Sequence, residues 1–119
     1  MSNANTINTQ KPEWLSHSEC QEAVVDFLPE WKRALVLKIE KFRTNCLDCR
    51  NLSWSRSIEY NMSFWDNFQT AVEYAYKLRE YMQRVHAIRV DVSENGRQMT
   101  IRYENVYGAT STIKINWRQ

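Results

Sequence analysis

The sequence predicts an α+β fold, in which N-terminal helices are followed by a three-stranded antiparallel β-meander packed on a long helix. Two patterns predict it: apolar residues recur every three or four positions in the segments predicted as helices, the last of which ends at residue 86, and beyond it they alternate with polar residues. The length of 119 residues fits one domain of ordinary size. We therefore expect a disordered polar arm over residues 1–13 and a single α+β domain over residues 14–119.

Two amphipathic helices are predicted in the first half of the chain. The first begins at Ser16, because Ser16 and Glu19 fit a capping box that satisfies free backbone N–H groups. Pro29 suits the first turn of a helix and disrupts an interior, so the first helix ends near Leu28 and a second runs from Pro29 to Asn45. The apolar stripe of this second helix comprises Trp31, Leu35, Ile39, Phe42 and Cys46.

The longest helix is predicted from Ser63 to His86. Its apolar seam has the helical period and comprises Phe68, Ala71, Ala75, Leu78, Met82 and Val85. Residues 47–62 show no clean period, and we expect a loop or a short strand there.

Three strands are predicted after the longest helix. Their alternating apolar residues are Ile88, Val90 and Val92, then Met99, Ile101 and Tyr103, and finally Ile113, Ile115 and Trp117. Asn95-Gly96 is a strong hairpin signal, since both residues tolerate positive φ, and Gly108 marks a second turn. The polar face of the sheet is one candidate binding surface, and the edge of the last strand is another. The charged residues expected on that face are Arg89, Arg102, Glu104 and Lys114.

The sequence carries no recognisable catalytic motif. Gly96 and Gly108 are the only glycines, so the sequence contains no glycine-rich loop of the kind that binds phosphates. His17 and His86 are the only histidines, and neither has a nucleophile or a paired carboxylate in a recognisable pattern. We therefore predict that the protein is not an enzyme.

His17, Cys20, Cys46 and Cys49 are the candidate metal ligands. The Cys46-x2-Cys49 spacing lets two thiolates converge on one ion, and His17-x2-Cys20 could complete a tetrahedral structural zinc site. In the alternative interpretation the cysteines are ordinary free thiols, and Cys46 ends the apolar stripe as a small buried residue. Beyond this possible zinc we expect no cofactor.

Basic residues are concentrated over residues 31–57, where seven basic residues stand against two acidic ones. The residues of this segment from which we expect partner binding are Lys32, Arg33, Lys38, Lys41, Arg43, Arg50, Trp54 and Arg56. Such cations can steer an acidic protein or neutralise phosphates, and tryptophan rings can stack on bases. The sequence pI of about 8.5 is lower than is usual for a dedicated nucleic-acid binder.

The leading hypothesis is a small non-enzymatic interaction protein that binds, and could inhibit, another protein or protein complex. Small chains of this kind are often encoded by phages and other mobile elements, where they block host defence or host enzymes. The alternative is a nucleic-acid-binding domain, with or without a structural zinc. A monomer and a homodimer both fit the sequence. We expect a cytoplasmic location without membrane contact, because no apolar run could span a bilayer and residues 1–11 lack the apolar core of a secretory signal.

Overall fold

The computed structural model describes residues 12–16, 30–62 and 67–118. The elements in these ranges are α1 (Glu30–Cys49), β1 (Arg56–Met62), α2 (Asn67–His86), β2 (Asp91–Glu94), β3 (Gln98–Glu104) and β4 (Thr110–Trp117). Residues 1–11 of the predicted arm lie outside the described residues, as do the predicted first helix beyond Ser16 and the predicted start of the long helix at Ser63. No helix in the described ranges is long and apolar enough to cross a bilayer.

The sheet confirms the α+β class and corrects the predicted topology. Strands β2, β3 and β4 pair antiparallel as expected, but β1 joins them as a fourth strand, and the order is β1-β4-β3-β2. β1 runs parallel to β4, with Arg56 opposite Ser111 and Met62 opposite Trp117. The sheet is therefore mixed and is not a three-stranded meander. The prediction that the last strand could pair through its edge is wrong, because β1 and β3 occupy both edges of β4.

One face of the sheet carries the core. The buried inward-facing side chains of the two central strands are Met99, Ile101, Ser111, Ile113, Ile115 and Trp117. Helix α1 packs on β1 and β4, whereas α2 packs on β2, so both helices cover the sheet and not the long helix alone. The seam of α2 is fully buried at Ala71, Ala75, Leu78 and Met82, but Val85 is exposed. Removal of this apolar surface from water is the main stabilising contribution to the fold.

Residues 12–16 form a turn that packs on the helices. Trp14 is buried, and its ring meets the Tyr74 ring edge-on with the centroids 5.5 Å apart. Trp14 Nε1 donates a hydrogen bond to Glu40 Oε1 at 2.7 Å. The same carboxylate accepts hydrogen bonds from Arg43, the shortest at 2.7 Å. One carboxylate of α1 therefore holds this turn against the helix.

The hairpin predicted at Asn95-Gly96 is present with a different turn. Asn95 N donates to Gln98 O at 3.1 Å, so Gly96 and Arg97 are its central residues. Gly96 has a φ of 88°, and Arg97 is not among the residues with positive φ. That combination is typical of a type II′ turn, in which only the first central residue needs positive φ. Asn95 instead stabilises the turn with its side chain, because Oδ1 accepts from Arg97 N and Gln98 N at 3.0 and 2.8 Å.

The opposite face of the sheet is polar, and neither α1 nor α2 covers it. Arg102, Glu104 and Lys114 of the predicted charged residues lie on this face, where Arg102 pairs with Glu104 at 3.0 Å. Arg89 precedes β2 and pairs with Asp91 at 3.7 Å. Asn116 accepts a hydrogen bond from Gln98 at 2.7 Å and so links β4 to β3. The charged side chains on the polar face of the sheet are thus largely paired with one another.

Candidate partner-binding site

The turn between β3 and β4 presents two apolar side chains to solvent. Asn105 N donates to Ala109 O at 2.9 Å, and Gly108 N donates to Asn105 O at 3.1 Å. Gly108 has a φ of 86°, so the loop is a type I turn closed by a residue in the left-handed region, a common three-residue hairpin connection. At its tip Val106 is 89% exposed and Tyr107 is 66% exposed.

The side chain of Asn105 holds this turn in place and is itself only 7% exposed. Its Oδ1 accepts hydrogen bonds from Tyr107 N at 2.8 Å and Ala109 N at 3.0 Å. Its Nδ2 donates to the carbonyl oxygens of Cys49 and Leu52, both at 2.6 Å. The turn is therefore joined to the end of α1 and to the loop that follows, and it has little freedom to move.

The loop before β1 contributes an exposed tryptophan. Trp54 is 50% exposed, and the Arg56 guanidinium lies over its ring, 4.4 Å from the centroid. Arg56 Nη1 also donates to Asn45 Oδ1 and Asp48 Oδ2 of α1, each at 3.1 Å. A stacked cation limits the rotamers open to Trp54, and the contacts with α1 fix the cation.

The loop and the turn lie at the same end of the sheet, where Thr110 N donates to Ser55 Oγ at 3.0 Å. We call the exposed residues Arg50, Trp54, Val106 and Tyr107 at this end, together with the partly exposed Arg56, the turn-end surface. A groove of about 420 Å³ adjoins this surface. The residues that line the groove include Arg50, His86, Arg89, Tyr103 and Val106. Aromatic, apolar and arginine side chains meet here beside a concave surface.

The structure divides the eight predicted binding residues. Arg50, Trp54 and Arg56 come together at the turn-end surface, whereas the five cations of α1 surround the helix.

Among those five, Arg43 is ion-paired within α1 at 2.7 Å, and Lys38 Nζ lies 5.7 Å from the centroid of a tyrosine ring of β1. At about 100° per residue, Lys32 and Arg43 lie on one side of α1 and Lys41 lies on the opposite side. Lys41 is exposed, and Arg33 is partly exposed. The cations of α1 therefore do not form one continuous basic surface.

Sequence reasoning missed Asn105, Val106 and Tyr107. The available signal was Asn105 followed three residues later by Gly108, since asparagine favours the first position of a type I turn and glycine the fourth. Two apolar residues between them are unusual, because turn tips are commonly polar.

Two of the four candidate zinc ligands lie in the described part of the chain. Cys46 and Cys49 are free thiols buried in the core. Burial raises the pKa of Cys46 to about 12, and the Ser111 hydroxyl acts in the opposite direction. Cys49 Sγ donates to Trp54 O at 3.4 Å, whereas a metal ligand would be a thiolate. His17 and Cys20 lie outside the described residues, and the described ones contain no group of three His, Cys, Asp or Glu side chains suited to a metal.

His86 ends helix α2 and lines the groove. Its ring meets the Tyr81 ring edge-on at 5.6 Å, and its Nε2 atom is buried without a hydrogen-bond partner among the described residues. Glu104 lines the same groove, but its carboxylate is paired with Arg102.

Comparison with known proteins gives no relative: no protein family matches the chain, and neither a curated protein nor a solved structure shows significant similarity to it.

Proposed function

We propose that this protein is a small non-enzymatic interaction protein that binds another protein through the turn-end surface. The observation that carries the proposal is the exposure of Val106 and Tyr107 on a turn that buried hydrogen bonds of Asn105 hold in place. At 89% exposure Val106 adds little to the core, so the fold itself gains almost nothing from an apolar residue there. A partner that covered this tip would bury apolar area on a backbone that is already ordered, which lowers the entropic cost of binding.

The composition of the surface supports a protein partner. Tryptophan, tyrosine and arginine are the residues that most often dominate binding energy at protein interfaces. Trp54 and Tyr107 provide the two rings, and Arg56 is already fixed by α1, so little side-chain freedom would be lost. Arg50 makes no ion pair with the described residues and is available to a carboxylate of the partner.

We further propose that the protein acts by covering a surface of its partner. If the turn-end surface covers a working surface of its partner, it blocks that surface without any chemistry of its own. An inhibitor of a host defence or host enzyme complex, encoded by a phage or another mobile element, would work in this way.

The proposal is tested by site-specific photo-crosslinking in the cells that express the protein. A photoreactive phenylalanine analogue replaces Tyr107 in one variant and Arg97 in the control, since Arg97 lies in the exposed turn at the opposite end of β3. We expect one protein partner to be crosslinked at position 107 and not at position 97. Equal capture at both positions, or crosslinks to nucleic acid, would contradict the proposal.

The reconstituted complex provides the quantitative test. Tyr107→Ala and Trp54→Ala should each weaken binding by about tenfold or more, as expected for anchor residues. Lys41→Glu on α1 should have a smaller effect that is stronger at low salt, because it only changes electrostatic steering. If the affinity falls steeply with salt and both alanine variants bind normally, the nucleic-acid alternative is favoured instead.

A further inference from the structure

A second groove, of about 450 Å³, runs between helix α2 and the start of strand β2. Tyr76, Arg79 and Arg84 line it on the helix, and Arg89 and Val90 line it beside the strand. β2 is an edge strand of the sheet, and no described strand pairs with its outer side. A groove between an edge strand and a helix is a place where an extended peptide can add to a sheet.

The backbone of β2 offers hydrogen-bonding groups to such a peptide. Asn95 N donates to Gln98 O, and pairing alternates along an antiparallel ladder, so Ser93 is the next residue whose N–H and C=O face β3. The N–H and C=O groups of Val92 and Glu94 therefore point away from the sheet. The described residues provide no hydrogen-bond partner for them on that side.

The charges of the groove favour an acidic occupant. Arg84 and Arg89 are each paired with a carboxylate, at 3.0 and 3.7 Å, in contacts that are well exposed to solvent. Arg79 lies over the Tyr76 ring, 4.7 Å from its centroid, and makes no ion pair with the described residues. Three arginines thus face two carboxylates, and one guanidinium remains uncompensated.

We propose that an extended acidic segment of a partner protein adds to the outer edge of β2 as a fifth strand. Every second side chain of an added strand would face α2, where its carboxylates would meet Arg79 and Arg84. Arg89 lines this groove and also the groove beside the turn-end surface, so one partner can cover both. The inference rests on the proposed function, because it assigns a chemical character to the same partner.

The direct test uses a synthetic peptide and the full-length protein. The probe is the capped heptapeptide Thr-Glu-Val-Glu-Thr-Glu-Val, and the matched control has lysine in place of each glutamate. In amide NMR spectra, the glutamate peptide should shift the Val92 and Glu94 signals and slow their hydrogen exchange. The lysine peptide should bind at least about fivefold more weakly, because its charges face arginines. Absence of binding at about millimolar peptide, equal binding of the two peptides, or shifts confined to β1 would overturn the proposal.

Variants of the protein separate this site from the turn-end surface. Glu94→Pro removes one outward N–H from an exposed position of an edge strand, where proline is tolerated, and should bind the glutamate peptide more weakly than Glu94→Gln, which loses the same charge and keeps the N–H. Ser57→Pro makes the corresponding change on β1 and should leave peptide binding unchanged. Arg79→Glu should weaken the glutamate peptide and strengthen the lysine peptide, an exchange that unfolding could not produce. Tyr107→Ala should not alter peptide binding, so failure of the turn-end proposal and failure of this one give different results.

Discussion

Replacement of Asn105 by alanine should destabilise the protein more than any other change of a single polar side chain in its turns. The substitution removes four hydrogen bonds, two accepted by Oδ1 and two donated by Nδ2. A net contribution of about 1 kcal/mol for each bond, with some loss from non-additivity, gives a decrease of about 3–4 kcal/mol in the free energy of unfolding. Ala109 N is buried and would have no acceptor in the variant, so the decrease in the free energy of unfolding should lie toward the upper end of this range.

Asn95 provides a matched control for that measurement. It occupies the other hairpin and accepts two backbone N–H hydrogen bonds in the same way, but it is exposed. Water can replace its contacts, so Asn95→Ala should cost about 1 kcal/mol or less. Urea unfolding followed by circular dichroism would measure both variants. If their midpoints fall by similar amounts with unchanged slopes, the buried network does not hold the turn and the reasoning is refuted.

Asn105→Asp separates the two halves of the network. The introduced carboxyl keeps acceptors for the backbone N–H groups, but it sets an oxygen against the carbonyls of Cys49 and Leu52. The folded state should therefore hold the proton of this group more tightly than the unfolded chain does. Because its pKa is raised on folding, the variant should be least stable at neutral pH and should regain stability as the pH falls. The free energy of unfolding of the variant is compared with that of the wild type at pH 7 and at pH 4. If the difference is the same at both values, Nδ2 of Asn105 is not the group that faces the two carbonyls, and the assignment is contradicted.

Two further predictions concern the core. Burial raises the pKa of Cys46 to about 12 from an ordinary value near 9, so the neutral thiol stabilises the fold fully below pH 9 and progressively less up to pH 12. Cys46→Ala should therefore reduce the loss of folding stability between pH 9 and pH 12, measured by urea titration. An unchanged dependence of stability on pH would contradict this prediction. Trp14→Phe removes the hydrogen bond to Glu40 and should lower the free energy of unfolding by about 1–2 kcal/mol, whereas Trp54→Phe at the half-exposed position should change it by less than about 0.5 kcal/mol.

The elements with a local period were predictable from the sequence. The seam of α2 is set by burial every three or four residues, and Ala71, Leu78 and Met82 lie in the core as that period requires. The period places Val85 in the seam as well, but Val85 is 46% exposed in the last turn of the helix, which ends at His86. Strands β3 and β4 alternate cleanly, since one face of the sheet is buried and the other is polar.

A loop or a short strand was predicted over residues 47–62, but the pairing of β1 in the sheet was not predictable by the same reasoning. Arg56 occupies an inward position of β1, where a purely apolar pattern would have placed a hydrophobic residue. Its guanidinium is accommodated there by Asn45 and Asp48 of α1, contacts that no local pattern reveals. Its parallel partner β4 lies at the other end of the domain sequence, beginning at Thr110.

The candidate site was predictable only in part, for a related reason. A count of cations and tryptophans found Arg50, Trp54 and Arg56, but it also included cations of α1 that the helix distributes around its axis. That count did not include Val106 and Tyr107, which are exposed on a turn that the hydrogen bonds of Asn105 hold in place. Exposure at this site is a consequence of tertiary structure.

The arrangement at the end of the sheet makes stability and binding separable. The side chain of Asn105, which holds the turn, is buried, whereas the side chains of Val106 and Tyr107, which are offered to a partner, are exposed and contribute little to folding. Tyr107→Ala should therefore leave the unfolding midpoint nearly unchanged and weaken the complex, because the backbone that carries it stays bonded. Asn105→Ala should weaken the complex as well, but only together with a large loss of stability. If the two variants instead lost stability to the same extent, Tyr107 would belong to the core of the fold, and the turn-end surface could not be interpreted as a binding site.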